Sequence, residues 1–253
     1  MKAIERVVVL AHGWGYNHRF FNPLLLALQA HTPKVFEHSL VVALESGYFP
    51  DQAKPGIMIH SPQGWEHHSA DTLHSLVLAH ADAPWLGIGH SLGVVRLLNT
   101  SVRWCTMVSL HGFARLAAMQ PGQPGVAPRV LARMVSKAKT NLPQVLGDFH
   151  RACGHTPEWT TLNAPALLAD LQWMQEANLE AELGNVLNTP AKTSSQVLAV
   201  YSPHDAIVPA ALAQNCFVEG PRCTLLAVDA AHGELGHSAA RYTDLLLPVL
   251  RNP

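Results

Sequence analysis

Five residues, Gly89-His90-Ser91-Leu92-Gly93, interrupt the apolar stretch WLGIGHSLGVVRLL and restrict what it can become. A strand buried on both faces reads as an unbroken run of Val, Ile and Leu, and two glycines, a histidine and a serine break that run at its middle. The residues before Ser91 suit a strand, while Val94, Val95, Leu97 and Leu98 after it suit a helix. A sharp bend is therefore expected at Ser91. A G-x-S-x-G at such a bend lifts the serine hydroxyl above the end of a sheet, with glycines where the two backbones crowd. The start of the helix also aims backbone N–H groups at any anion forming near Ser91. The competing reading is a glycine-cushioned helix start with Ser91 as its cap.

Strand and helix signals alternate on either side of this bend. Residues 6–11, 39–44, 85–89 and 104–110 are β-rich, and 18–30, 69–81 and the segment after Ser91 have helical spacing. Residues 49–65, with Pro50, Pro55, Pro62, Gly56 and Gly64, read as loop. From Phe113 to about Pro190 the pattern is helical, punctuated by QPGQPG and NLP. Strands return at 196–201 and 223–228, and a helix over 238–250 follows. This rhythm predicts an α/β fold, a mostly parallel sheet flanked by helices. The expected organisation is a core of residues 1–112 and 190–253 with a helical cap at 113–189.

Composition narrows the partners. The 253 residues are 48% hydrophobic and 14% charged, with a net charge of −1, so no global field favours nucleic acid or an anionic membrane. The apolar run Val7–Ala11 is shorter than the ~7–15 residues of a secretory segment, and no stretch nears the ~20 residues of a membrane span. Cys105, Cys153, Cys216 and Cys223 form no C-x-x-C pair and are expected as reduced thiols in a cytoplasmic protein. Among 16 histidines, His67 and His74 share a predicted helical face with Asp71. No second ligand group such as H-E-x-x-H accompanies them, so a solvated face is expected, with neither metal nor cofactor.

Three further features sit at predicted strand ends. In AHGWG, the Trp14 N–H after the first strand can join the Leu92 N–H in an oxyanion hole; a tight turn explains the glycines but not His12. In YSPHDAIVP, Asp205 can orient a histidine. In VDAAHGELGH, His232 follows the last strand, with His237 as its rival nearer the final helix. The order Ser91, Asp205, His232 is the order of a nucleophile, acid and base on an α/β-hydrolase sheet. Ser91 would attack an acyl carbon, His232 would carry the proton, and Asp205 would orient and stabilise the imidazolium.

With these residues the chain resembles the α/β-hydrolase superfamily over nearly its whole length, and within it the BioH-type carboxylesterases. HGWGYN is similar to that family's HGWG-x-N, GVAPRVLARM and LLADLQWMQEANLEAELGNV resemble its cap, and AAHGELGHSAARYTDLL resembles its ending and places the family histidine on His232. The resemblance implies a serine carboxylesterase that cleaves the methyl ester of pimeloyl-acyl carrier protein in biotin synthesis, releasing methanol. A broad short- or medium-chain esterase or lipase without a carrier protein is the alternative, and a non-catalytic binding module is the reading outside that class. Between Phe113 and Glu158 there are six cationic residues, Arg115, Arg129, Arg133, Lys137, Lys139 and Arg151, against Asp148 and Glu158. Such a cap suits an acidic carrier protein, with Arg129, Arg133, Lys137 and Arg151 as the docking candidates. Leu131, Met134, Leu142, Val145, Leu146, Phe149, Trp159, Leu168 and Trp173 are candidates for an acyl tunnel or for plain core.

The chain also departs from the family. It lacks the strands that usually precede VVVLAHG, so one edge of the sheet is expected to be short. LESGYFPDQAKPG replaces a D-x-x-G-x-G-x-S segment, the elbow ends Gly93-Val94 without a second glycine, and the His232 loop lacks the usual proline.

Overall fold

A computed structural model describes residues 4–156, 159–188 and 196–251. The strands among them are β1 (Arg6–Ala11), β2 (Ser39–Glu45), β3 (Gly56–Ser61), β4 (Gly64–His68), β5 (Trp85–His90), β6 (Thr106–Leu110), β7 (Gln196–Tyr201) and β8 (Cys223–Ala227). They form one sheet in the order β4-β3-β2-β1-β5-β6-β7-β8. From β2 to β8 all neighbours are parallel, while β3 runs antiparallel to β2 and β4. Every residue of β5 and β6 is buried, which is why these segments carry no polar alternation.

Helices α1 (Asn22–His31) and α2 (Pro33–Glu37) join β1 to β2, α3 (Asp71–Ala79) leads into β5, and α4 (Leu92–Leu98) follows it. Between β6 and β7 come α5 (Pro128–Ala152), α6 (Ala164–Glu176) and α7 (Glu180–Asn188), the insertion expected from sequence. Its expected boundary at residue 190, like Glu158, lies outside the described residues. Helix α8 (Ala210–Cys216) links β7 to β8, and α9 (Ala240–Arg251) packs on α1. Helix α5 is bent at Asn141 (φ −149°, ψ 73°). Pro143 cannot continue the hydrogen-bond ladder, and the Asn141 side chain accepts from the Gln144 N–H at 3.2 Å, capping the second segment. Among the described residues no helix is long and apolar enough to cross a membrane. All four cysteines are free thiols.

One edge of the sheet departs from expectation. Residues 49–65 contain β3 and the start of β4, and this hairpin fills the edge that was expected to be short. The prolines mark strand ends: Pro55 precedes β3, and Pro62-Gln63 is the turn between the paired Ser61 and Gly64. The hairpin also removes His67 from the predicted helix. His67 lies in β4 with Nε2 3.1 Å from the Pro55 carbonyl, whereas Asp71 and His74 lie in α3.

The site is positioned by the packing of α4 on β1. A Cβ on Gly93 would overlap the carbonyl oxygen of Ala11, so only glycine lets the two elements meet. Val94, the residue after Gly93, is accommodated from the other side: a Cβ on Gly112 would overlap Val94 Cγ2. Gly93→Ala is therefore expected to destabilise the fold by about 4 kcal/mol, a fall of about 10 °C in Tm, measured by circular dichroism.

Candidate active site

Ser91 occupies the bend between β5 and α4 with φ 54° and ψ −122°, a conformation rare for a residue with a side chain. Its side chain makes no capping hydrogen bond, which removes the reading of Ser91 as a simple helix cap. The backbone is fixed by Ser91 N–H donating to Leu110 O at 3.0 Å and Val94 N–H donating to Ser91 O at 3.1 Å. The side chain lies at the C-terminal end of β5 and the residue is only 4% exposed.

The loop after β1 runs directly over it. A Cβ on Gly13 would stand 2.9 Å from Ser91 Cβ, so the glycine lets the loop approach. The N–H groups of Trp14 and Leu92 have no acceptor among the described residues. The loop is held from below by Glu45 at the end of β2, whose Oε2 accepts from the His18 N–H at 3.0 Å and from His18 Nδ1 at 2.8 Å. Its Oε1 accepts from the Gly47 N–H at 2.9 Å, and His12 Nε2 lies 3.6 Å from that oxygen. Burial works to raise the Glu45 carboxyl, but the two histidines outweigh it and hold it below the usual carboxylate range. His12, which a glycine turn does not explain, therefore faces a buried carboxylate.

From above, the insertion clamps the same loop. Trp14 Nε1 donates to Leu167 O in α6 at 2.8 Å, and His150 Nε2 in α5 donates to Gly15 O at 2.7 Å. Arg96 of α4 and Tyr48 both bond Asp170 of α6. Beside the loop is a cavity of about 240 Å³ lined by Tyr16, Phe20, Phe49, His150 and His155 among others. Ser91 does not line it, nor do the nine residues that were candidates for a tunnel or for plain core. Leu131, Leu142, Val145, Leu146 and Phe149 belong to the buried core, and Met134, Trp159, Leu168 and Trp173 pack against it.

Asp205 and His232 meet above the other side of Ser91's strand. His232 Nδ1 donates to Asp205 Oδ2 at 2.8 Å, while Asp205 Oδ1 accepts from the N–H groups of Ile207 and Val208 at 2.8 and 2.9 Å. His237 follows the short turn Glu234–Gly236, with its ring near His155. His90 Nε2 donates to the His232 carbonyl at 2.8 Å, so the elbow histidine holds the loop that carries His232. His232 Nε2 is buried without a hydrogen-bond partner among the described residues, and no hydrogen bond yet joins it to Ser91. Such bonds commonly tighten only when substrate is bound.

A further histidine, not singled out in the sequence, completes the group. His111, just past β6 with φ 51°, has Nδ1 3.2 Å from Asp205 Oδ2 and Nε2 2.7 Å from the Tyr242 hydroxyl. The available signal was a histidine followed by glycine at a strand's C-terminal end, the same signal as in AHG. Burial tends to raise the Asp205 carboxyl, but His111 beside it and the hydrogen-bonded His232 keep it well below its ordinary value. His111, Asp205 and His232 bring ligand-type atoms within 4.8 Å of one another. Ligands sharing a tetrahedral zinc at about 2.0–2.1 Å stand roughly 3.3 Å apart, so the 2.8 Å contact is that of a hydrogen bond.

The docking candidates are divided by the structure. Arg129, Arg133 and Lys137 are exposed at four-residue spacing on α5, opposite buried Leu131, Val135 and Ala138, and none has an ion-pair partner among the described residues. Arg151 is exposed but pairs with Asp148. Arg115 is fully buried and bonds Glu180 at 3.1 Å, so it contributes nothing to an outer basic face.

No family model matches the sequence, and neither does any curated protein. Solved structures match almost all of it. An esterase from Exiguobacterium antarcticum has TM-score 0.69 at 13% identity, covering 99% of this chain and 93% of its own. A hydrolase from Oleispira antarctica has TM-score 0.66 at 15% identity, covering 98% and 92%. The enol-lactonase from Burkholderia xenovorans LB400 has TM-score 0.64 at 16% identity, covering 99% and 91%. The chain has the α/β-hydrolase fold.

The buried histidines set the acid stability. Burial pulls His90 and His111 below the ordinary histidine value, and His150 down to about 4. The unfolded chain takes up these protons near pH 6.5 and the folded chain only at lower pH, so stability is full above pH 6.5 and declines below it. Tm followed from pH 8 to pH 4 is expected to fall throughout the lower part of that range. His150→Gln keeps an N–H for Gly15 but cannot titrate, and it should remove a slope of up to roughly 1.4 kcal/mol per pH unit between pH 6.5 and 4.

Proposed function

We propose that this protein is a serine carboxylesterase with Ser91 as nucleophile, His232 as general base and Asp205 as its orienting acid. The observation that carries the reading is the buried Asp205–His232 pair, bonded at 2.8 Å with Nε2 left open, at the same sheet edge as a serine on a strained elbow. His232 Nε2 takes the Ser91 proton as Oγ attacks the ester carbonyl, and the oxyanion accepts from the Trp14 and Leu92 N–H groups. Collapse of the tetrahedral adduct breaks the bond to the alcohol, which leaves with the proton returned by His232. Water, deprotonated by the same imidazole, then attacks the acyl-serine; the acid is released and Ser91 regains its proton.

For the substrate we propose a methyl ester of an acyl group carried on acyl carrier protein, as in pimeloyl-acyl carrier protein. The likeness of HGWGYN and of the insertion to BioH-type enzymes supports it, as does the exposed, unpaired stripe Arg129-Arg133-Lys137 on the insertion. The second reading, a small free ester, is favoured by the modest 240 Å³ of the neighbouring cavity, below the ~300–1,000 Å³ usual for larger ligands.

A fluorophosphonate probe is expected to label Ser91, located by peptide mass. Ser91→Ala should lose the label and at least ~10⁴-fold in kcat with Tm within about 3 °C of the parent; full esterase activity in that variant would exclude the mechanism, and no labelling would favour a binding module. Reversing Arg129, Arg133 and Lys137 to Glu should raise KM about tenfold or more for a carrier-bound methyl ester and leave a p-nitrophenyl ester unaffected. Equal kinetics on both substrates point to the small-ester reading.

A further inference from the structure

One oxygen of Asp205 faces two imidazoles. Oδ2 accepts from His232 Nδ1 at 2.8 Å, and His111 Nδ1 stands 3.2 Å from it in ion-pair range without completing a hydrogen bond, while Oδ1 is occupied by the N–H groups of Ile207 and Val208. The two rings differ in what meets their second nitrogen. His111 Nε2 is 2.7 Å from the Tyr242 hydroxyl, and His232 Nε2 has no partner among the described residues.

These partners assign the protons. A carboxylate only accepts, so each Nδ1 turned toward it carries hydrogen, and in a neutral ring Nε2 is then a bare acceptor. On His111 that acceptor is filled by the Tyr242 O–H. Only His232 keeps an open lone pair, and of two histidines on one aspartate it alone is available as a base.

We propose that His111, fixed by Tyr242, is a positioning residue that shares Asp205 Oδ2 with His232 and thereby lowers the pH at which His232 becomes a free base. The proposal deepens the esterase reading and rests on it. Asp205 assists by stabilising the His232 imidazolium, and a second N–H dipole 3.2 Å from the same oxygen competes for its charge. The imidazolium is then less favoured and releases its proton at lower pH. With Oδ1 held by two backbone donors and Oδ2 set between two rings, the carboxylate also cannot swing away from His232.

The other titratable groups around the pair leave this competition in place. His90, from the elbow, has its ring 4.8 Å from that of His232 and is kept neutral by burial. Glu234, two residues past His232, is paired with Arg241 at 2.8 Å. Tyr16 and Cys153, from the first loop and the end of α5, are raised by burial and stay protonated, as does Tyr242. Among the described residues only His111 and His232 bring side-chain nitrogens to Asp205 Oδ2.

The test compares two substitutions of similar shape and one at the tyrosine. His111→Asn tolerates the positive φ and keeps an N–H for Asp205; His111→Leu keeps bulk but has no donor. Tyr242→Phe leaves His111 free to move its proton to Nε2 and release Oδ2. The acid limb of the kcat/KM profile for a small activated ester is read in each, together with an NMR titration of the His232 ring in labelled protein. In His111→Leu both readouts should move up by about 0.5–1 pH unit, costing about 3–10-fold in kcat/KM on the acid side of the profile. Tyr242→Phe should move both the same way by less, and His111→Asn should return them close to the parent. An unmoved His232 titration in His111→Leu, or equal shifts in Leu and Asn, overturns the proposal. Should the parent protein neither label nor turn over, the esterase reading falls, and the ring titration still decides whether His111 governs His232.

Discussion

Everything above the sheet depends on the contact between Gly93 and the carbonyl of Ala11. It lets α4 lie against the end of β1 closely enough that the chain must reverse at one residue, and Ser91 takes up the strain of that reversal. Strain of this kind persists only when its surroundings over-determine it. Here they do, because Leu92, Val94, Val95, Leu97 and Leu98 are all buried. The same closeness brings the loop after β1 across Ser91, where a Cβ on Gly13 would stand 2.9 Å from Ser91 Cβ. Gly112 then leaves room for the Val94 side chain beside the elbow.

Two buried carboxylates hold the loops on either side of Ser91, each with two histidines. Glu45 fixes the loop of Trp14 through His18, with His12 alongside, and Asp205 fixes the loop of His232, with His111 on the same oxygen. A buried carboxylate without donors is costly enough to be protonated instead. With several N–H groups turned toward it, each stays ionised and rigid. The insertion adds a third hold from above, through Trp14 to α6 and His150 to Gly15, and the tie of Arg96 and Tyr48 to Asp170 couples that hold to the elbow helix itself.

Much of this was legible in the chain. Strands β1, β2, β5, β6, β7 and β8 are short, mainly apolar runs, β-branched in β1 and β2, and such runs have few other places to go. The hairpin was not legible, because an edge strand needs only part of its surface buried, so Glu66 and His67 weaken its pattern while Pro55 and Pro62 imitate a loop. The AHG turn, the elbow and the loops of Asp205 and His232 stood out because each pairs a reactive side chain with small or turn-forming neighbours at a strand end. His111 and Tyr242 did not, since one looked like a strand's last polar residue and the other like an ordinary member of an amphipathic helix.

The sequence by itself determined the periodicities, and with them the parallel core, the sharp bend at Ser91 and the strand ends where chemistry can gather. It also determined the order of serine, aspartate and histidine along the chain. Only the tertiary structure decided which histidine reaches Asp205, that a second one shares its carboxylate, and which arginines remain on the surface. The reason is physical: local patterns record which face of an element is buried, whereas a contact across strands depends on how elements distant in sequence pack. His232 and His237 are close in sequence, and it is packing that brings His232 to Asp205 at 2.8 Å, with the neighbouring Gly233 N–H tied to Cys153 O at the end of α5, while the His237 ring turns toward His155.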